Sequence, residues 1–223
     1  MFCLYFSSCK SIHTITEVPD DTYWVDAKQY SMLSNSSDQI TAEKVKIEVE
    51  QDDTIIKFLP LTSELPALEK PVSGIRSLKM HRYTFDVDIM TIPFKVRPSV
   101  SGFPEQLNPN FSAALYLGRR RDNYTFVKEG AKKAKTKITG VGYGYGGFIG
   151  VGAVTMNPFV TRGKIDYEYD GFVFSGGIAG ILDIKKFNLG LAIGADVLLD
   201  KNRSFWIYQG KPWLGVIFGI NLN

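Results

Sequence analysis

The stretch that decides the fold reads Pro212-Trp-Leu-Gly-Val-Ile-Phe-Gly-Ile-Asn-Leu-Asn223. Alternate positions are apolar, and most of the positions between them are small or polar. The apolar set is Leu214, Val216, Phe218, Ile220 and Leu222, and the small or polar set is Gly215, Gly219, Asn221 and Asn223. Side chains of a β-strand point alternately to its two faces, so this strand has one apolar face. Such alternation is typical of membrane β-barrels, which are apolar toward lipid and small or polar inside.

The composition favours strands over helices as membrane elements. Hydrophobic residues make up 44% of the chain, and the mean hydropathy is only -0.05. A spanning helix needs ~18 or more nearly uncharged apolar residues, and the sequence has no such window. Half of each barrel strand faces away from lipid, which keeps hydropathy moderate. The net charge of +3 gives no reason to expect a nucleic-acid partner.

The same alternation recurs through the second half of the chain. It predicts six long strands, over residues 83–96, 111–117, 141–153, 172–184, 187–199 and 212–223. In the first of them Phe85, Val87 and Ile89 share one parity, whereas Ile92 and Phe94 take the other. That change predicts a single β-bulge near Met90-Thr91.

Residues 44–59 predict a β-hairpin, because Val45, Ile47 and Val49 alternate with charged residues before the short polar link Gln51-Asp-Asp53. Known single-chain barrels use at least ~8 strands. We therefore expect this hairpin to join the six long strands in an all-β, antiparallel membrane barrel of about eight strands. The alternatives are that two strands have been merged or that several chains share one barrel. The predicted organisation is a leader or polar tether over 1–40, a hairpin and connection over 41–80, and the barrel over 81–223.

Glycines are concentrated where the strands are predicted, since 17 of 21 lie at or after Gly140. Inward glycines leave room for bulky inward side chains such as Phe148, so we expect a filled interior rather than a wide pore. The run Gly142-Tyr-Gly-Tyr-Gly-Gly147 fits the dinucleotide-binding pattern G-x-G-x-x-G. That pattern binds a pyrophosphate only where a helix comes next, and here a β-pattern comes next, so no cofactor is predicted.

Charged residues have structural and functional interpretations. Asp86, Asp88, Asp183 and Asp196 have inward parity, and Lys95 and Arg97 are their expected partners. The basic residues Arg119-Arg-Arg121, with Lys132 to Lys137, predict a solvated loop between strands, with contact to lipid headgroups as the functional alternative. His81, at the start of a strand, is the only candidate for a catalytic histidine of a lipid-modifying barrel.

A run near the start of the sequence, Leu4-Tyr-Phe-Ser-Ser-Cys9, resembles the end of a bacterial lipoprotein signal. In such signals small residues precede a cysteine that becomes lipidated, so Cys9 is the candidate lipidation site. Only eight residues precede it, without a basic region or a full apolar region, so either the start of the sequence is placed too late or this is an ordinary short leader.

Several short motifs occur together in the second half of the chain. They are Thr91-Ile-Pro-Phe-Lys-Val-Arg-Pro98, Leu107-Asn-Pro-Asn-Phe111, Ala114-Leu-Tyr-Leu-Gly118, Met156-Asn-Pro158, Tyr169-Asp-Gly171, Tyr208-Gln-Gly-Lys-Pro-Trp213 and Gly219-Ile-Asn-Leu-Asn223. As a set they resemble a group of small, functionally uncharacterised proteins of Bacteroidetes-type bacteria that are taken to be outer-membrane β-barrels. The resemblance covers about residues 81–223. It implies an outer-membrane location and brings no catalytic, metal or cofactor residues.

The function expected from these observations is that of a non-enzymatic outer-membrane barrel, structural or an accessory subunit of a larger cell-envelope assembly. Lipid is expected to contact Phe172, Phe174, Leu189, Leu191, Ile193, Val216, Phe218 and Ile220. Other envelope proteins are expected to contact loop aromatics, namely Phe103, Phe159, Phe205 and Trp206. The alternatives are a barrel enzyme acting on membrane lipid and a soluble β-barrel that binds an apolar ligand inside.

Overall fold

A computed structural model describes residues 13–34, 42–62, 65–100, 102–129, 135–184 and 187–220. The candidate lipidation site Cys9 and the predicted turn at Lys185-Lys186 lie outside these ranges. No helix among the described residues has the length and apolar character needed to cross a membrane.

The described chain is an all-β protein, as predicted, and it also contains one short helix within the predicted tether. In chain order the elements are β1 (His13–Ile15), β2 (Asp21–Asp26), α1 (Ala27–Ser34), β3 (Lys44–Asp52), β4 (Ile55–Pro60), β5 (Leu68–Pro71), a 3-10 turn (Val72–Gly74), β6 (Ser77–Arg97), β7 (Gln106–Asn108), β8 (Ser112–Glu129), β9 (Lys135–Met156), β10 (Tyr169–Ile184), β11 (Phe187–Leu198) and β12 (Pro212–Ile220). They form one antiparallel sheet of twelve strands, so the predicted count of about eight is wrong.

The six predicted long strands are present as β6 and β8 to β12. Pairing runs in the order β9-β10-β11-β12-β6, and β8 pairs with both β6 and β9. Each of these six strands therefore has a partner on both sides. The predicted hairpin is also present, as β3 and β4. It pairs with β2 and β5 instead, so the expectation that it pairs with the long strands to close a barrel is wrong.

The chain forms two compact units. Unit 1 comprises Met1–Tyr83 and Arg121–Val141, and unit 2 comprises Thr84–Arg120 and Gly142–Asn223. The division falls within β6, β8 and β9, which have 21, 18 and 22 residues. The strands continue through these points, and the predicted boundaries at residues 40 and 80 differ from this division.

Unit 1 has a conventional apolar core. Tyr23 and Val25 of β2, Tyr30 of α1, Ile47 of β3 and Phe58 of β4 are buried in one cluster. Asp26 ends β2, and its Oδ1 accepts hydrogen bonds from the backbone nitrogens of Lys28 at 3.0 Å and Gln29 at 3.1 Å, which caps the helix. The described part of the predicted tether is thus ordered structure. Several of its apolar residues, among them Val18, Tyr23, Val25 and Tyr30, are part of the core, whereas Met32 is exposed.

The predicted bulge in β6 is confirmed at a slightly different place. Thr91 pairs with Phe218 and Phe94 pairs with Val216, so two residues of β6 oppose one residue of β12. Ile92 is 1% exposed and Phe94 is 46% exposed, so the parity changes after Ile92 rather than before it. The intervening residue is Pro93, which has no N–H for the ladder and is tolerated at such a bulge.

The basic run Arg119 to Arg121 lies inside β8, so the prediction of a loop there is wrong. Charged residues are tolerated within this strand because Arg119 is exposed and Arg120 pairs with Asp183 of unit 2. Lys132 and Lys133 lie outside the described residues.

Candidate functional site

Unit 2 exposes apolar side chains along all six of its long strands. They include Phe85, Ile89, Phe94 and Val96 on β6, Leu115 and Leu117 on β8, Tyr143, Tyr145, Ile149 and Val151 on β9, Phe172, Phe174, Ile178 and Leu182 on β10, Leu189, Leu191, Ile193 and Val197 on β11, and Leu214 and Phe218 on β12. We call this set the apolar outer face. Soluble monomers rarely expose contiguous apolar surface on this scale. Most residues expected to contact lipid belong to it, and Val216 is partly exposed.

The exposed side chains of β8 change from apolar to polar along the strand. On β8 the side chains of Leu115 and Leu117 are exposed, and the next positions of that parity are the exposed Arg119 and the half-buried Arg121 and Asn123. The opposite parity stays mostly buried along the strand, with Tyr116 in unit 2 and Phe126 in unit 1. The exposed side chains of β8 thus change from apolar in unit 2 to mainly polar in unit 1.

The buried face of unit 2 holds an ionic network centred on Asp196, a residue with no exposed surface. Lys95 Nζ donates to Asp196 Oδ1 at 3.1 Å, and Arg97 also donates to this carboxylate. Ser175 Oγ and Trp213 Nε1 donate to Oδ1 at 2.6 Å and 2.9 Å. The predicted pairing of Asp196 with Lys95 and Arg97 is confirmed. Sequence parity gave no sign that Ser175 and Trp213 would join it.

Aromatic rings surround the two cations of this network. Lys95 Nζ lies 4.6 Å from the centre of the Trp213 ring, and Arg97 Cζ lies 4.9 Å from that of Trp206. The Tyr208 ring is 5.6 Å from Arg97 Cζ. These rings offer their negative faces to the buried cations and shield them from water. The network therefore holds both cations beside Asp196, away from water.

A second polar group lies farther along β6, around Asp88. Asn188 donates to Asp88, and Arg120 pairs with Asp183. The expectation that Lys95 and Arg97 would also serve Asp88 and Asp183 is wrong. Asp88 precedes Lys95 by seven positions on an extended strand, which is ~23 Å at about 3.3 Å per residue. No side chain spans that distance.

An apolar cluster occupies the buried face as well. It contains Met90, Ile92, Phe148, Trp213 and Ile217 together with smaller residues. The rings of Phe148 and Trp213 are 5.8 Å apart, and Gly177 and Gly194 lie against them. The prediction that glycines make room for an inward Phe148 is confirmed.

We expect Gly194→Ala to lower the free energy of unfolding by about 1–3 kcal/mol, because the added methyl overfills this cluster. A Cβ at Gly194 would lie 2.6 Å from Trp213 Cζ2 and 2.9 Å from Phe148 Cζ. Gly180→Ala is the matched control, since a Cβ there meets no atom within 4 Å. Urea unfolding of both variants in the same detergent measures the difference. Equal losses for both would contradict a filled interior.

The loop aromatics predicted to contact partners are of two kinds. Phe103 and Phe159 pack edge to face with ring centres 5.0 Å apart, and Phe159 and Phe205 are exposed. Trp206 is 4% exposed because it covers Arg97 and packs against Tyr208. The expectation that Trp206 offers an exposed contact is therefore wrong. Partner contact through Phe159 and Phe205 stays a prediction.

His81 lies in unit 1 at a surface pocket of about 270 Å³. The pocket is lined by Asp26, Gln29, Lys44, Lys79, Met80, His81, Arg121, Asn123, Tyr124 and Thr125. Partial burial and the nearby positive charges of Arg121 and Lys44 lower the pKa of His81. Neutral imidazole is therefore the dominant form at neutral pH.

The pocket beside His81 offers few groups for a hydrolytic triad. Its described lining has no serine or cysteine, Thr125 is its aliphatic hydroxyl residue, and Asp26 is its single carboxylate. Asp26 caps α1 through Oδ1. A hydrolytic triad needs a nucleophile and an orienting acid within hydrogen-bond reach of the histidine. The charged residues of the lining are mainly cationic, namely Lys44, Lys79 and Arg121.

Comparisons of this chain with protein-family models, with curated proteins and with solved structures found no match. Two features of the described residues bear on its function. The first is the apolar outer face of unit 2 with its buried ionic network, and the second is the cationic pocket of unit 1.

Proposed function

We propose that unit 2 is a small outer-membrane β-barrel, and that the protein is a non-enzymatic component of the bacterial cell envelope, structural or an accessory subunit of a larger assembly. One observation carries the proposal. In unit 2, Lys95, Arg97 and Asp196 are buried while Leu191 and Phe85 are 70% and 66% exposed. A protein surrounded by water buries its apolar side chains and exposes its charged ones. A barrel surrounded by lipid exposes apolar side chains and keeps charged ones inside.

The strand pairing supports closure into a barrel. Hydrocarbon offers no hydrogen bonds, so strands in a membrane need a partner on both sides. All six long strands have two partners. Six strands make a narrower ring than the ~8 of the smallest well-known barrels. The inward glycines beside Phe148 and Trp213 suit such a narrow interior.

The height of the apolar outer face supports the same proposal. On β10 its exposed residues run from Phe172 to Leu182. Eleven residues at about 3.3 Å each, tilted by ~40°, span roughly 28 Å. That is close to the ~25 Å apolar band of outer-membrane barrels.

The filled interior favours a structural or accessory role over transport. The ionic network around Asp196 and the apolar cluster around Phe148 together occupy the buried face. Beyond the network, residues of the loops 157–168 and 199–211 form another buried cluster, which includes Val160, Trp206 and Tyr208. Ordered loops that carry exposed Phe159 and Phe205 offer a surface to a partner protein.

The two alternatives have less support. A soluble barrel with an apolar ligand inside needs its apolar parity buried, and in unit 2 the exposed parity is the apolar one. A lipid-modifying enzyme of the serine or cysteine type needs that nucleophile near His81, and the described lining of the pocket has neither residue.

Membrane fractionation with heat-modifiable gel mobility tests the proposal. We expect the protein in the outer-membrane fraction, and we expect the unboiled sample to migrate differently from the boiled one, because a closed barrel resists dodecyl sulfate until heated. A sample unfolded in urea before loading is the control and should show only the boiled position. Soluble protein without a mobility shift would contradict the membrane assignment. Gentle solubilisation then tests for a partner, and a monomer without any partner would argue against the accessory role.

A further inference from the structure

The pocket beside His81 has the composition of an anion site. Lys44, Lys79 and Arg121 line it together with His81, and Asp26 is the single carboxylate in the described lining. Three cations against one carboxylate leave two positive charges in excess when His81 is neutral. Strong positive potential in a concave surface attracts anions.

The cations of this pocket have not been neutralised by acidic neighbours. Within the described chain, Arg82 pairs with Asp21 and Asp122 at 2.9 Å and 3.1 Å. No carboxylate of the described residues forms such a pair with Lys44, Lys79 or Arg121. Arg121 Nε is in addition a buried donor without a hydrogen-bond partner. A donor of this kind costs free energy unless a ligand accepts its hydrogen bond.

Neutral groups complete the site. Gln29, Asn123 and Thr125 line the same pocket, and Asn123 Nδ2 donates one hydrogen bond to the carbonyl of Val141 at 3.4 Å. Gln29 Oε1 accepts from the backbone nitrogen of Lys79 at 2.9 Å, which fixes the side chain at the pocket. Amide and hydroxyl donors between cations suit the several acceptor oxygens of a phosphate better than the two of a carboxylate.

We propose that the Lys44–Lys79–Arg121 pocket of unit 1 binds a phosphate group, with Arg121 as its principal ligand. Its volume of about 270 Å³ accepts a phosphate with a small alcohol substituent. The source is either a lipid headgroup or a free phosphate. His81 reports occupancy, because a bound anion beside it offsets the charges of Arg121 and Lys44 that disfavour its protonation.

The site lies wholly within unit 1 and is accessible to water, so inorganic phosphate can be tested without a bilayer. Failure of this test leaves the membrane proposal intact, and soluble behaviour of the protein leaves phosphate binding intact. The two outcomes are thus distinguishable.

The experiment follows the His81 imidazole by nuclear magnetic resonance of the full chain, with His13 as the internal reference and His81→Gln for assignment. Addition of inorganic phosphate should shift the His81 signal saturably and raise its pKa, and chloride at equal ionic strength should not. Arg121→Gln should weaken phosphate binding at least about tenfold through loss of charge-assisted hydrogen bonds. Lys57→Gln, at an exposed lysine of β4 in the same unit, is the matched control and should leave binding unchanged.

Two further arms identify the source. Short-chain phosphatidylglycerol is added to the phosphate-bound protein. If it displaces the phosphate, the site binds a lipid headgroup. If phosphate binds saturably and the lipid does not displace it, the site binds free phosphate. A response to phosphate no larger than the response to chloride, or equal affinity of the Arg121→Gln variant, overturns the proposal.

Discussion

Asp196→Ala is expected to lower the free energy of unfolding by about 3–5 kcal/mol, the usual cost of removing one member of a buried ionic network. The carboxylate accepts hydrogen bonds from Lys95, Arg97, Ser175 and Trp213. Its removal leaves Lys95 and Arg97 buried without their counter-ion. Urea unfolding in detergent, followed by tryptophan fluorescence, measures the loss directly because Trp213 is part of the network.

Two variants control this result. Asp170→Ala removes an exposed carboxylate of β10 that accepts one hydrogen bond, from Thr155 at 3.0 Å. Its cost should stay near or below ~1 kcal/mol. Lys95→Met in the Asp196→Ala background removes one of the two uncompensated cations and should restore part of the stability. A loss below about 1 kcal/mol in Asp196→Ala itself would show that water reaches the network.

Leu191→Arg is expected to cost about 2–4 kcal/mol when the protein is folded in lipid vesicles, which is the depth-dependent penalty of arginine on the lipid face of a barrel. Leu191 is 70% exposed and lies two positions after Leu189 on the apolar outer face. In water the same substitution at so exposed a position would change stability by no more than ~0.5 kcal/mol. The stability of this variant therefore shows whether lipid or water surrounds Leu191.

Ile55→Arg is the matched control for Leu191→Arg. Ile55 is 40% exposed on β4 of unit 1, outside the proposed barrel, and its replacement should be nearly neutral. Equal stability of Leu191→Arg and the parent protein in vesicles is the result that would sink the assignment of the apolar outer face to lipid.

Alternation of apolar residues was sufficient to predict the six long strands and the hairpin of β3 and β4. It also predicted the inward position of Phe148 and the pairing of Lys95 with Asp196. All of these depend on side-chain parity, which is local and strictly periodic. The bulge in β6 was predicted two residues early, because Ile92 is apolar on either face and parity cannot assign it. Pro93 was the better signal.

The errors arise where parity gives no information. The hairpin was expected to complete the barrel because known single-chain barrels have at least ~8 strands. Side-chain parity does not say which strands are neighbours. Arg119 to Arg121 were expected in a loop because three charges in a row interrupt the apolar pattern. In the structure they lie within β8, where its exposed side chains change from apolar to polar. Trp206 was expected at the surface, and its burial depends on contacts that parity does not reveal, with Arg97 and with the cluster around Tyr208. Ser175 gave no signal because serine suits an inward or an outward position equally.

The pairing of β6 with β12 has a consequence for biogenesis. Thr91 Oγ1 donates to the carbonyl of Phe218, 127 residues later. Contacts so distant in sequence form slowly, because a long loop must close before any of them is made. A ribosome adds ~5–20 residues each second, so β6 waits many seconds for its neighbour with its apolar side chains uncovered. The nascent chain should therefore depend on holding chaperones until β12 arrives, and the counter-ion of Lys95 is among the last groups to reach its place.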